Sequence, residues 1–139
     1  MNAVSAGIFD HLKGGTALLS LLAGGTAGTA VYEDHAPDGA SLPYVVFGHH
    51  SGVWDYTMGM SRFADVLYQV KAVSGSEYPK EASAIDAQID SRLNNAAITV
   101  SGYGVLACTR ETDVAYTELT ADQTFWHIGA LYRVELQKT

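Results

Sequence analysis

Apolar residues alternate with other residues through the middle of the chain. From Trp54 to Ala72 they occupy one parity, and Arg62 is the exception. A period of two is typical of extended strands with one apolar face, but common strands hold only about five or six residues. We therefore predict a β-hairpin over residues 43–74 with a large tip near 54–61, forming a long arm that a partner covers. The candidate subunit-interface residues are Trp54, Tyr56, Met58 and Met60.

The remaining pattern predicts helices and further strands. Two short helices are expected over 3–13 and 16–23, and a third over 79–93, where apolar residues recur every three or four positions. Strands are expected over 30–33, 43–50, 98–103, 105–116 and 126–137, with a polar loop over 117–124. The fold class is α+β, a mostly antiparallel sheet of about four to five strands with helices packed on one face. At 139 residues, the chain is expected to form a single domain over 1–139.

Charge and cysteine content narrow the function. Eight Lys and Arg residues face fifteen Asp and Glu residues, which gives a formal charge of −7. The basic residues are scattered, whereas sequence-independent binding to nucleic acid needs clustered cations. The single Cys108 lies in an apolar run and is expected in the core. No apolar run is long enough for a membrane span, so we expect a soluble protein made in a reducing cytoplasm.

The sequence gives little support for a catalytic or metal-binding site. Glu33-Asp34-His35 is dense in metal-ligand types, but it adjoins a turn and nothing supplies further ligands at a recognisable spacing. Asp86 and Asp90 lie one helical turn apart on the polar side of 79–93, where exposure to solvent is expected. His127, on the polar face of the last strand, is a surface or interface candidate. We predict no catalytic residue, cofactor or metal; a small metal-dependent hydrolase using residues 33–35 and 127 is the remote alternative.

The order of several segments resembles a known family. Leu42-Pro43-Tyr44-Val45-Val46-Phe47 follows an acidic turn, the strand 66–74 precedes the helix 79–93, and the chain closes on Phe125-Trp126-His127 and Tyr132-Arg133-Val134. Over nearly its whole length, the chain resembles the tail-completion, or tail-terminator, proteins of long-tailed phages with non-contractile tails and of related gene-transfer particles.

This resemblance implies a structural protein of the virion, assembled in the host cytoplasm, rather than an enzyme. Such proteins form a ring, typically a hexamer, at the head-proximal end of the tail tube. The ring stops polymerisation of the tail tube protein and docks to the head-completion or connector protein. DNA then passes through the lumen without specific binding, and the acidic charge of this chain agrees with that role. The alternatives are a head-side completion or adaptor protein and a generic ligand-binding α+β domain.

Overall fold

A computed structural model describes residues 2–56 and 62–138, with the side chains of Tyr56 and Arg62 outside the description. The helices are α1 (Asn2–Lys13), α2 (Thr16–Leu19) and α3 (Lys80–Leu93), with a short 3₁₀ turn at Gly25–Ala27. The strands are β1 (Val31–Glu33), β2 (Tyr44–Tyr56), β3 (Arg62–Ser74), β4 (Tyr103–Leu119) and β5 (Thr124–Lys138).

The five strands form one sheet in the order β1-β2-β3-β5-β4. All neighbouring pairs are antiparallel except β1 and β2. This arrangement confirms the predicted α+β class and the mostly antiparallel sheet. The short β1 can lie parallel to β2 because the loop between them returns the chain across the end of the sheet.

The helices pack on one face of the sheet, where alternate residues of the central strands are buried. Tyr68 in β3 and Tyr132 in β5 have no exposed surface, and Ile85 and Ile89 of α3 join the same core. Helix α1 is fixed to this face by a hydrogen bond of 2.8 Å between the Ser5 and Tyr68 hydroxyls. The opposite face of the sheet, to which the remaining alternate residues of each strand point, is called the open face. Many of its side chains are only half-buried.

The long alternation proves to cross from one strand to the next. Trp54 in β2 lies opposite Ala64 in β3, so both side chains point to the same face and the two strands share one parity there. Strand β3 keeps β5 as its neighbour as far as Phe63. Met58 and Met60 lie outside the described residues. Projection of the hairpin tip beyond the sheet therefore stays a prediction.

Three local predictions were wrong. Residues 98–103 form a single bridge between Val100 and Tyr103 instead of a strand. Their period of two arises because Ile98 and Val100 are buried beside α1, whose Gly7 leaves no room for a Cβ against the Thr99 carbonyl. The predicted loop over 117–124 shrinks to a turn, since β4 and β5 pair as far as Leu119 and Thr124. The second helix ends at Leu19 rather than at residue 23.

Among the described helices, none combines the length and the apolar character that a membrane span requires.

Candidate functional site

A charged triad crosses the open face over three neighbouring strands. Arg133 in β5 donates to Glu111 in β4 through Nε and Nη2, at 2.7 and 2.6 Å, and to Asp65 in β3 through Nη1 at 2.6 Å. Hydrogen bonds to Glu111 and then to Asp65 raise the pKa of Arg133, and the bond from Arg133 lowers the pKa of Glu111. All three residues occupy the polar positions of alternating strands. That parity could have placed Asp65 and Arg133 on one face, but not Glu111, because the register of β4 shifts between Val105 and Ala107. The sequence could not have paired any of the three.

A second cluster on the open face surrounds His127. The His127 Nε2 lies 3.0 Å from Glu118 Oε1, and its ring stacks on Tyr116 with centroids 4.5 Å apart. Lys71 donates a 2.5 Å hydrogen bond to the Tyr116 hydroxyl and lies 5.1 Å from the centre of that ring. His127 is 8% exposed, and its Nδ1 is buried with no hydrogen-bond partner among the described residues.

The surroundings of His127 favour its neutral form. Burial lowers the pKa of His127 because a charged imidazolium loses hydration there, and the nearby Lys71 ammonium lowers it further. The hydrogen bond and the charge of Glu118 act in the opposite direction without reversing the net effect. The cluster therefore packs a neutral imidazole between the charged side chains of Lys71 and Glu118, at a junction of β3, β4 and β5.

A third charged cluster lies on the helix-covered face and corrects a prediction. Asp86 was expected to face solvent, but its side chain is only 15% exposed because it accepts two hydrogen bonds, of 3.1 and 3.0 Å, from Arg110. Arg110 also lies 2.8 Å from Asp113 and 3.5 Å from Asp90. The hydrogen bond to Asp86 is the largest cause of a raised pKa of Arg110. These contacts fasten α3 to β4, so the paired aspartates of α3 have a structural role.

The predicted interface residues do not form one cluster. Trp54 is half-buried near one end of β2, on the helix-covered face, with its ring centroid 6.3 Å from that of Tyr103. His127 lies on the open face near the other end of the sheet. Leu136 of β5 is level with Trp54, and His127 lies nine residues along β5 from Leu136, which is a distance of roughly 30 Å. Tyr56 ends β2, and its side chain, Met58 and Met60 lie outside the description.

The residues of the remote hydrolase alternative are also apart. Glu33 lies at the end of β1, and His127 belongs to β5, with β2 and β3 between the two strands. Three strand spacings separate them by roughly 14 Å. Within residues 2–56 and 62–138, no group of three or more His, Cys, Asp or Glu side chains could hold a metal ion. Burial raises the pKa of the Cys108 thiol to about 11, so this group is protonated at neutral pH.

Comparison with solved structures supports this architecture. A chain of a structure described as the virion of a native gene transfer agent particle matches with a TM-score of 0.76. The match covers 98% of this chain and 96% of that chain at 18% sequence identity, which establishes similarity of fold. A search of curated proteins found no match.

A family model provides the assignment that fold similarity alone does not. The model described as tail completion protein gp17 matches residues 6–135, from the first turns of α1 almost to the end of β5. The matched region includes β1 to β4, β5 as far as residue 135, and all three charged clusters. The chain therefore belongs to the tail completion protein gp17 family.

Proposed function

We propose that this protein forms a ring, with six copies as the expected number, at the head-proximal end of a phage-type tail tube. In this role it ends polymerisation of the tube protein and provides the surface on which the head connector docks. The observation that carries the proposal is the family match over residues 6–135, which identifies a structural tail protein. The fold similarity to a chain of a gene transfer agent virion supports a place in the virion.

The surface chemistry of the chain agrees with this proposal. Each copy carries a formal charge of −7, and a ring of such copies would present DNA with few cations to bind. The open face offers polar side chains held in fixed positions by Arg133 and by the His127 cluster. Prearranged polar groups favour recognition of a protein partner because less side-chain freedom is lost on binding.

The proposed contacts fall into two groups. Trp54 and Tyr56 lie in the part of β2 beyond its pairing with β1, where a neighbouring copy can reach them, and Met58 and Met60 continue that segment along the chain. His127 belongs to the opposite end of the open face, where it is 8% exposed and supports the exposed side chains of Tyr116 and Glu118. We propose that this end contacts the tube or the connector. The proposal includes neither catalysis nor a cofactor.

The experiment is native mass spectrometry and negative-stain microscopy of the protein alone and mixed with assembled tail tubes. Rings, or density that caps one end of each tube, are the expected result. A second arm adds the protein during tube polymerisation and measures tube length, which should stop increasing once ends are capped. A protein that stays monomeric and ignores tubes would overturn the proposal. Capture by portal protein but not by tubes would replace it with the head-side adaptor.

A further inference from the structure

The sheet ends on one side in a long free edge. Strand β4 is the last strand in the sheet order, and its first half is covered by the turn after α3. There Asn95 N–H donates to the Cys108 carbonyl at 2.7 Å, and Asn94 Oδ1 accepts from Arg110 N–H at 3.0 Å. Past the bulge at Glu111, residues 112–119 have no neighbouring strand on their outer side among the described residues.

The hairpin turn determines which backbone groups of this edge point outward. Thr120 N–H donates to the Gln123 carbonyl at 2.9 Å, so these two residues form a hydrogen-bonded pair. Hydrogen-bonded and non-hydrogen-bonded pairs alternate along an antiparallel ladder. The N–H and C=O groups that point away from β5 are therefore those of Leu119, Thr117, Ala115 and Asp113.

The opposite side of the sheet ends in a second free edge. Within the part of the chain that the structure describes, β1 covers β2 only from Val45 to Phe47, where Asp34 N–H donates to the Phe47 carbonyl at 2.7 Å. The next ladder pairs with β3 are Gly48 with Gln69 and, past the bulge, Ser51 with Leu67.

Because the Phe47 carbonyl points outward, Gly48 and then Ser51 bond to β3. Beyond the bulge, alternation leaves three residues of β2 whose backbone groups point outward. These residues are Gly52, Trp54 and Tyr56.

We propose that neighbouring copies in the ring are joined by antiparallel pairing of residues 113–118 of one copy with residues 51–56 of the next. This inference rests on the proposed ring. Strand directions alternate across β2, β3, β5 and β4, so β4 of one copy runs opposite to β2 of the next copy when a rotation continues the sheet in its own surface. Within one copy Trp54 is level with Val105, so pairing Trp54 with Ala115 of the neighbour offsets successive copies by eight ladder positions, or roughly 26 Å. The ring therefore closes with the strands inclined to its axis, as in a barrel with a sheared register. Each ring contact then removes two free edges, and the sheets of all copies become one closed sheet.

The side chains select one register for this pairing. With Val53 opposite Tyr116 on the open face, two exposed residues (62% and 44%) form an aromatic and β-branched pair. The same register places the large Trp54 beside the small Ala115 on the other face. It also sets Glu118 opposite Ser51 and Asp55 opposite Val114, so no two carboxylates face each other in this acidic edge. The outward groups of Gly52, Trp54 and Tyr56 meet those of Thr117, Ala115 and Asp113.

Cysteine cross-linking of assembled protein tests the register directly. Val53 and Tyr116 would form a non-hydrogen-bonded pair, in which Cβ atoms lie close enough for a disulfide. The double variant Val53→Cys/Tyr116→Cys should form a ladder of disulfide-linked oligomers that ends at the ring size and collapses on reduction. Each single variant, and Val53→Cys/Glu118→Cys in the neighbouring register, should stay unlinked. The native Cys108 is buried, so we expect it not to compete.

A backbone variant gives an independent readout. Ala115→Pro removes an outward N–H and leaves the bonds between β4 and β5 unaltered, so it should abolish rings and keep the circular dichroism spectrum. Ala115→Ser retains the N–H and should assemble.

Rings without the predicted cross-link, or cross-linking of Tyr116→Cys alone through two β4 edges, would overturn this pairing and leave the proposed ring standing. Absence of both rings and tube caps for the unaltered protein would overturn both.

Discussion

His127 links the stability of the fold to pH through a single side chain. Burial keeps the pKa of His127 below the value of about 6.5 expected in the unfolded chain. As the pH falls, the unfolded protein therefore takes up this proton first. The stabilisation from neutral His127 is fully present above pH 6.5 and is lost progressively below it. We expect the free energy of unfolding, measured with urea, to fall between pH 7 and pH 5.5.

The control is His127→Gln, which keeps a hydrogen-bond donor for Glu118 and cannot be protonated in this range. Its free energy of unfolding should depend less steeply on pH across the same interval, although it will be lower at pH 7. Equal slopes for the two proteins would show that another group carries the pH dependence. Lys71, Tyr116 and Glu118, which face the ring from β3 and β4, are unchanged in the comparison.

At the scale of elements, Arg110 fastens α3 to the edge of the sheet. Arg110→Ala would leave the Asp86 carboxylate, 15% exposed, without its cation and the Tyr132 hydroxyl without a donor at 3.2 Å. We expect a loss of about 2 kcal/mol in the free energy of unfolding, because removing one partner from a partly buried pair leaves the other desolvated. Denaturant unfolding followed by circular dichroism measures this loss.

Arg133→Ala is the matched comparison, since it also removes an arginine that binds two carboxylates. Its partners Asp65 and Glu111 have side chains that are 35% and 36% exposed, so water can replace the arginine. Exposed ion pairs contribute about 0–1 kcal/mol, and the loss should stay in that range. Equal losses in the two variants would contradict the view that Arg110 is the fastening between layers.

Elements whose pattern arises within one segment were predictable from the sequence. The apolar repeat through Ala82, Ile85, Ile89 and Leu93 predicted α3 to within one residue of its observed start, and alternation predicted β5. The failures come from contacts between distant segments. Ile98 and Val100 alternate like a strand but lie beside α1.

The ion pairs of the candidate site were also hard to predict, because they too depend on contacts between distant segments. Arg110 reaches Asp86 only because of its position in the β4 ladder, and the bulge at Glu111 then reverses the parity of β4. Cys108 and Arg110 therefore share a face with Asp113 and Ala115. The alternation of even and odd positions cannot locate such a bulge, because the position of the bulge depends on how β4 pairs with β5. Sequence alternation thus assigns residues to faces until the first bulge and fails beyond it.

At the scale of the whole molecule, net charge opposes the association of copies. Each chain carries −7, and a ring brings these charges together without compensating basic patches in the sequence. Pairing through backbone hydrogen bonds and the Val53–Tyr116 contact places no salt bridge at the joint. Added salt should therefore strengthen assembly, since the Debye length falls from about 10 Å at 0.1 M to about 3 Å at 1 M. The ring fraction is measured by sedimentation velocity at each salt concentration, or by native mass spectrometry after dilution from each.

The variant Asp122→Asn/Glu135→Gln, which removes two exposed charges outside the proposed joint, should assemble better at 0.1 M salt and respond less to added salt. A ring that dissociates as salt is raised would instead show that ion pairs between copies hold it together, and would direct attention to Arg133 and Lys71 as the cations available on the open face.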